Sequence, residues 1–113
     1  MHEYSIVQAL LERVDAEARA RGASAVHRLS VRIGELSGVE VDLLTTAYAT
    51  FRERTICDRA ELAVRRVPAR WECPDCLGAI RPGDVLRCRH CDVPARLAEG
   101  DEIMLDRIEM EVP

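Results

Sequence analysis

The sequence contains no lysine and few aromatic residues, with one Trp, two Tyr and one Phe among 113 residues. The absence of lysine excludes a lysine nucleophile and a Schiff base formed on such a side chain. The scarcity of aromatic rings leaves no platform on which nucleotide bases could stack. A formal net charge of −4 and an isoelectric point near 5.4 also argue against a general nucleic-acid binder, which normally carries a basic surface.

Long apolar runs are absent as well. Six charged side chains interrupt the first twenty residues, so no apolar signal-peptide core is visible there. No apolar stretch approaches the roughly 18 residues that a membrane helix needs. We therefore expect a cytoplasmic protein, whose five cysteines are metal ligands or free thiols rather than a disulfide framework.

The hydrophobic pattern predicts a small α+β fold. Apolar residues recur at three- and four-residue spacing in two stretches, which predicts helices at residues 4–21 and 41–54. Alternating apolar and polar residues predict three strands, at residues 26–33, 61–67 and 102–112. A chain of this length holds one modest core, so we expect the two helices to pack on a small three-stranded sheet.

Residues 71–96 differ from the rest because they hold four cysteines and three of the five prolines. The cysteines form the pattern C-x2-C, eleven residues, C-x2-C: Cys73, Cys76, Cys88 and Cys91. Two such pairs supply the tetrahedral thiolate shell that zinc prefers, with a dithiol redox pair and an iron–sulfur cluster as alternatives. Because four cysteines leave no open coordination position, we expect a structural zinc in a ribbon unit inserted between residues 1–70 and residues 97–113.

Four further features of the sequence lead to expectations. The stretch IRPGDVLR between the cysteine pairs predicts a hairpin that brings the pairs together. His90, inside the second pair, could replace a cysteine at the metal, but an exposed side chain is the simpler interpretation. Cys57 stands alone and should be a small buried residue rather than a nucleophile. His27 shares the parity of the buried strand positions, so we expect it at the edge of the core, with a ring nitrogen bound to water or a backbone carbonyl.

The chain starts with MHE, which places three nitrogen donors in succession. They are the amine of Met1, the amide nitrogen of His2 and the imidazole Nδ1 of His2. Together they can close a five-membered and a six-membered chelate ring around one ion, an arrangement that suits Ni(II) or Cu(II). Glu3 could add a donor. Because the amine and the amide must lose protons, metal capture should weaken as the pH falls.

Four segments resemble the HypA/HybF family of hydrogenase-maturation nickel metallochaperones: MHEYSIVQALLERV, the IGELSGVE turn, the paired C-x2-C motifs and the closing GDEIMLDRIEMEV. The resemblance covers nearly the whole chain. It implies Ni(II) cargo bound at the N-terminus through Met1, His2 and Glu3. It also implies a role for the acidic residue after the first strand, here Glu40. That residue is a further nickel ligand, a solvated turn carboxylate or a cap for the helix that starts near Val41.

The resemblance also implies partners. Nickel would pass to a GTPase of the same assembly pathway and then to the large subunit of [NiFe]-hydrogenase, and some members of the family also serve urease. Two other functions remain compatible with the residues. One is a zinc-ribbon interaction module that carries no nickel. The other is a small enzyme, although no G-x-S-x-G, phosphate loop or HExxH motif is present. We expect a metallochaperone that is not an enzyme and has no nucleic-acid or membrane partner.

Overall fold

The computed structural model describes residues 2–113, which form two helices and two three-stranded sheets. In chain order the elements are α1 (His2–Ala20), β1 (Ala25–Gly34), α2 (Val41–Phe51), β2 (Glu61–Val67), β3 (Arg70–Glu72), β4 (Ala79–Ile80), β5 (Arg96–Glu99) and β6 (Ile103–Glu111). The first sheet has the order β2-β1-β6, with β2 parallel and β6 antiparallel to β1. The second sheet has the order β4-β3-β5 and is antiparallel. The predicted α+β fold is confirmed.

The hydrophobic core lies between the first sheet and the two helices. Its fully buried members come from α1, β1, α2 and the turns before β2: Val7, Val14, Ala18, Val26, Leu29, Val31, Ile33, Leu44, Ala47, Tyr48, Cys57 and Ala60. The central strand contributes four of them, because β1 is covered by both helices and flanked by both neighbouring strands. Burying an aliphatic side chain of this kind contributes about 1.5–3 kcal/mol, so this layer holds the unit together. The prediction that Cys57 is buried is confirmed.

Both helices differ from their predicted bounds. The first begins at His2, two residues earlier than predicted, and the second ends at Phe51 rather than at residue 54. Residues after Phe51 form turns in which Arg54 adopts a left-handed backbone, with φ of 64°. The Tyr48 hydroxyl and the Arg52 guanidinium both donate to the Ala60 carbonyl, at 2.9 and 2.8 Å. These two bonds fix the turns against the end of α2.

His27 does not lie at the edge of the core, so that prediction was wrong. A bulge interrupts the pairing of β1 with β6 between Val26 and Arg28, and His27 is the extra residue. Val26 and Leu29 therefore both face the core, although they are three residues apart. The exposed imidazole places Nε2 3.1 Å from a carboxylate oxygen of Glu111, rather than against a backbone carbonyl.

A second bulge lies in β6. Ser30 pairs with Arg107 and Val31 pairs with Leu105, so Asp106 is the extra residue of this strand. Asp106 accepts a hydrogen bond from Arg32 Nε at 2.8 Å on the outer, polar face of the sheet. The bulge shifts the alternation of β6 by one residue at its middle.

The segment between the cysteine pairs does not form the predicted two-stranded hairpin. Asp84 N donates to Arg81 O at 3.1 Å, which closes a turn, but Ile80 pairs with Trp71 of β3. The second sheet spans residues 70 to 99, and the division of the chain at residues 71–96 stays a prediction. Within residues 2–113, no helix has the length and apolar character needed to cross a membrane.

The two sheets are connected at Gly100, where the segment before β6 packs against the end of β1 and against the residues between β2 and β3. Leu36 N donates to Gly100 O at 2.7 Å, and a carboxylate oxygen of Glu35 accepts from Ala69 N at 2.7 Å. A Cβ built on Gly100 would lie 2.5 Å from Ala69 Cα, and one on Gly34 would overlap the Gly100 carbonyl. Only glycine fits at these two positions, so the junction between the units is tightly packed.

Candidate metal centres

The four cysteines of the two C-x2-C pairs lie together at one end of the second sheet. Their four Sγ atoms all lie within 4.8 Å of one another. The distance between Cys76 Sγ and Cys88 Sγ is 3.8 Å, as expected for the edge of a tetrahedron with Zn–S bonds of about 2.3 Å. An all-thiolate tetrahedral donor set of these dimensions fits zinc.

The two cysteine pairs adopt the same local fold. Leu77 N donates to Cys73 O at 3.0 Å, and Asp92 N donates to Cys88 O at 2.9 Å. Both donors follow the second cysteine of a pair, and both have left-handed backbones, with φ of 63° for Leu77 and 54° for Asp92. A leucine in that region is unfavourable by roughly 1–2 kcal/mol, so the repeated conformation indicates a constraint from the site itself.

Backbone N–H groups point at the sulfur atoms. The N–H groups of Asp75 and Cys76 donate to Cys73 Sγ at 3.4 and 3.5 Å, and Cys91 N donates to Cys88 Sγ at 3.3 Å. The Cys76 N–H is the chief cause that lowers the pKa of Cys73 to about 7. Burial raises the pKa of Cys91 to about 12. Because a bound metal requires all four thiolates, loading this site releases protons.

His90 and Cys57 are not members of this cluster. His90 is exposed within the second pair, and the group of side chains with ligand spacing in residues 2–113 consists of the four cysteines. Cys57 is buried in the core of the first unit, and its burial raises its pKa. A high pKa keeps the thiol protonated, which is the opposite of what a nucleophile needs, and no cluster of three or more ligand groups in the described chain includes it.

The first turn of α1 contacts the turn that precedes α2. Met1 lies outside the described residues, and His2 is exposed at the first position of α1. Glu3 is only 7% exposed, and its carboxylate oxygen Oε2 accepts a hydrogen bond from Glu40 N at 3.2 Å. This bond, followed by one from the N–H of Glu3 itself, lowers the pKa of the Glu3 carboxyl. The carboxylate is therefore held ionised beside His2.

The Glu40 side chain itself is exposed and makes no capping hydrogen bond to α2, so the alternative of a side-chain cap was wrong and the carboxylate is solvated. Glu40 has an extended backbone, with φ of −84° and ψ of 113°, which directs its N–H at Glu3. Gly38, with φ of 80°, makes the preceding turn possible. Sequence reasoning named both glutamates but missed that backbone contact, because a main-chain donor leaves no residue-type signal. The glycines of IGELSGVE were the available hint of a tight turn.

An exposed aromatic pair lies beside this site. Tyr4 of α1 and Phe51 of α2 are 49% and 48% exposed, and their rings meet edge to face with centroids 5.2 Å apart. Leu43 of α2 is 53% exposed as well. The pair joins the first turn of α1 to the last turn of α2 and leaves apolar surface open next to the chain start.

These features define a small two-unit α+β protein with a closed four-cysteine metal site and a Glu3 side chain bound to the backbone just before α2. A family model described as hydrogenase/urease nickel incorporation, metallochaperone, hypA matches residues 1–110. The hydrogenase maturation factor HypA of Shewanella halifaxensis is 39% identical over 113 residues, which cover 98% of each chain. That of Aquifex aeolicus is 36% identical over 114 residues, which cover 99% of each chain.

Two solved structures have the same fold. The solution structure of the Ni metallochaperone HypA from Helicobacter pylori gives a TM-score of 0.74 at 30% identity, with 98% of each chain covered. Another solution structure of a HypA protein gives 0.82 at 32% identity, covering 100% of this chain and 98% of that one. The chain belongs to the HypA family. The resemblance seen in the sequence is thereby confirmed.

Proposed function

We propose that this protein is a nickel metallochaperone that binds Ni(II) at its N-terminus and delivers it during maturation of [NiFe]-hydrogenase. Urease maturation is a second role of the same kind. The ligands are the amine of Met1, the amide nitrogen and imidazole of His2, and Glu3. The observation that carries the proposal is the contact between the Glu3 carboxylate and Glu40 N at 3.2 Å, which holds the start of the chain in one place.

The position of His2 at the start of a helix supports amide ligation. The first four N–H groups of an α-helix have no partner within the helix. The His2 amide can therefore lose its proton to a metal without breaking a helical hydrogen bond. The positive end of the helix dipole opposes a cation by about 0.3–1 kcal/mol, and the ionised Glu3 offsets it. A site balanced in this way suits a carrier, which must release its ion.

Glu40 is proposed as a further ligand. Its exposed carboxylate is adjacent to the N–H that holds Glu3, so both acidic groups lie at the same end of the molecule. Carboxylate exchange between solvent and metal would let a partner open the site. We place the resident zinc at Cys73, Cys76, Cys88 and Cys91, where it stabilises the second unit and takes no part in the transfer.

The partners proposed are the GTPase of the assembly pathway, the large subunit of [NiFe]-hydrogenase and, for urease, an accessory protein of that enzyme. We place the contact at the first helix, where the exposed Tyr4 and Phe51 rings lie beside the chain start. Aromatic side chains are frequent energetic centres of protein interfaces. The transfer takes place in the cytoplasm, and the protein acts as a carrier rather than as an enzyme.

A calorimetric nickel titration of the zinc-loaded chain tests this function. We expect strong binding to the native chain and a loss of at least about a hundredfold in affinity for His2→Ala, since the substitution removes the imidazole and with it the six-membered chelate ring. One extra residue before Met1 should have the same effect, because it converts the amine into an amide. Glu40→Gln should weaken binding to a smaller extent.

The matched control is His27→Ala, which removes an exposed histidine bonded to Glu111. His27 lies near the beginning of β1, whereas Glu40 follows the end of that strand. It should bind nickel as the native chain does. Equal nickel affinity in the native, extended and His2→Ala proteins would contradict N-terminal binding. In that case the interaction module without nickel cargo would be the better account of this chain.

A further inference from the structure

The outer edge of β6 is open. In the described chain the first sheet has the order β2-β1-β6, so one side of this nine-residue strand pairs with β1 and the other pairs with nothing. An edge of this length presents a row of main-chain donors and acceptors, which natural proteins usually cover or blunt. Its Ile103 and Met104 side chains are 38% and 40% exposed. This edge is suited to pairing with another strand.

The bulge at Asp106 gives β6 an unusual internal symmetry. Leu105, Ile108 and Met110 pack against the core, and Ile103 lines the same groove as Leu105. The core side of the strand thus carries apolar residues at two positions before the bulge and two after it, with the same spacing in each half. Asp106 and Arg107, of opposite charge, lie at the centre. A strand arranged in this way is complementary to itself when a copy is turned end to end.

An apolar groove runs beside the open edge. A cavity of about 250 Å³ lies between α1 and β6, lined by Ile6, Leu10, Ile103 and Leu105, among others. It shares Arg13 and Leu105 with a second cavity of about 360 Å³ farther along the same two elements. The side chains of α1 therefore do not close over the edge strand. A neighbouring copy would cover both the groove and the edge.

We propose that β6 pairs antiparallel with β6 of a second copy of this chain. The pairing joins the two sheets into one of six strands around a twofold axis, with both α1 helices on the same face. In the proposed register Asp106 of each copy lies opposite Arg107 of the other. Leu105 then lies opposite Ile108, and Ile103 lies opposite Met110. Apolar residues meet on the core side, and two ion pairs form on the outer side.

The charges select this register over its neighbours. A shift by one residue in one direction places Asp106 opposite itself, and a shift in the other direction places Arg107 opposite itself. Both shifts also bring core-side residues opposite outer-face residues, because side chains alternate along a strand. The proposed register places Glu102 opposite Glu111 at the two ends, where both residues are exposed and their repulsion is screened by solvent. An isologous interface of this kind closes at the dimer.

The test is a charge exchange read by sedimentation equilibrium of the full, zinc-loaded chain over a wide concentration range. Arg107 is 71% exposed, and its ion pair within the chain is a long contact of 3.9 Å to Glu109, so replacing it leaves the fold intact. Arg107→Asp places acid opposite acid at both central positions. Asp106→Arg places base opposite base, and because Asp106 also accepts from Arg32 Nε at 2.8 Å within the chain, Arg32→Ala is the control that removes this internal bond while keeping Asp106 and Arg107. Each of the two charge variants alone should dimerise at least about tenfold more weakly than the native chain.

An equimolar mixture of the two variants is the decisive sample. In the mixed dimer both central pairs are again acid against base, so association should return although neither variant dimerises well alone. Circular dichroism of each variant confirms that it is folded. A native chain that stays monomeric at every concentration overturns the proposal, and β6 is then free for a strand from another protein. Dimerisation unchanged in both variants, or absent from the mixture, overturns it as well.

Discussion

Cys57 and Tyr48 are the two titratable side chains of the hydrophobic core. Cys57 is 0% exposed and Tyr48, near the end of α2, is 2% exposed. Burial raises the pKa of each, the thiol from an ordinary value of 9.0 and the phenol from 10.0. The Tyr48 hydroxyl donates to Ala60 O at 2.9 Å, so its proton is also used in a hydrogen bond. Neither group can ionise in the folded state without a cost that the unfolded chain avoids.

We therefore predict that the protein loses stability at alkaline pH. Because the folded pKa of Cys57 lies above 9.0, its contribution is fully present below that pH and is lost as the pH rises toward the folded pKa. Denaturant unfolding between pH 7 and pH 11 should show a shallower fall in Cys57→Ala than in the native chain. The control Val64→Ala, which removes no titrating group, should keep the native slope at a free energy lowered by about 1 kcal/mol. An unchanged slope in Cys57→Ala would assign the alkaline loss to other groups.

Residue-level expectations succeeded where a residue's own chemistry decides its place. Cys57 was predicted to be buried, and it is, because a lone thiol behaves as a small apolar group. His27 was misplaced because its exposure depends on a bulge, which arises from the pairing of β1 with β6 and not from the residues around the histidine. The hydrogen bond from Glu40 N to Glu3 was missed for a similar reason, since every residue but proline offers the same donor.

The helices and strands of the two units are stabilised in different ways. Both helices and the core cluster belong to the first unit, whereas β3, β4 and β5 have only two to four residues each. Strands of that length bury too little apolar surface to persist alone. The second unit therefore depends on its metal, as expected for a cluster of four cysteines that closes two knuckles.

Cys73→Ser should release the zinc and unfold the second unit while sparing the first. We expect most of the helical circular dichroism signal to remain, because α1 and α2 make no use of the metal. Amide exchange should become fast in residues 70–99 and stay slow in β1. Asp75→Ser, an exposed change between the same two cysteines, is the matched control and should retain one zinc per chain. Wholesale loss of helix in Cys73→Ser would mean that the two units fold as one.

The long helices and strands could be predicted because each of them buries one face, and the apolar residues of that face recur at a regular spacing along the sequence. The strand Glu61–Val67 was predicted to the residue, and the start of α2 at Val41 was correct. The short strands of the second sheet were not predicted, since two or three residues carry no period. Nor was the pairing of Ile80 with Trp71, which replaced the expected hairpin. That pairing closes around the first cysteine pair, where Cys73 N donates to Gly78 O at 2.9 Å.

At the scale of the whole molecule the two units form an elongated body. The radius of gyration is 18.0 Å and the extents are 56 × 29 × 17 Å, whereas a compact chain of this length has a radius near 13 Å. The units meet through the crossing of Gly34, Gly100 and Ala69. The turn that begins at Gly34 also supplies Glu40 N to Glu3, so the junction and the contact with Glu3 share one loop.

Gly100→Ala tests whether this crossing fixes the two units against each other. Gly100 has φ of 111°, and its Cβ would lie 2.5 Å from Ala69 Cα and 2.9 Å from Pro68 O, so backbone must move to admit it. We expect a loss of about 3 kcal/mol or more in the free energy of unfolding, measured with denaturant.

The matched control is Gly83→Ala in the turn of the second unit. Gly83 also has a positive φ, of 86°, but a Cβ there would meet nothing within 4 Å. It should therefore cost only the backbone strain of about 1–2 kcal/mol. The excess loss in Gly100→Ala measures the packing of the junction, and faster amide exchange at Leu36 and Glu40 would show that the disturbance reaches the shared loop. Equal losses in the two variants would mean that the backbone at the crossing admits the added methyl group without a packing cost, which would contradict a tightly packed junction.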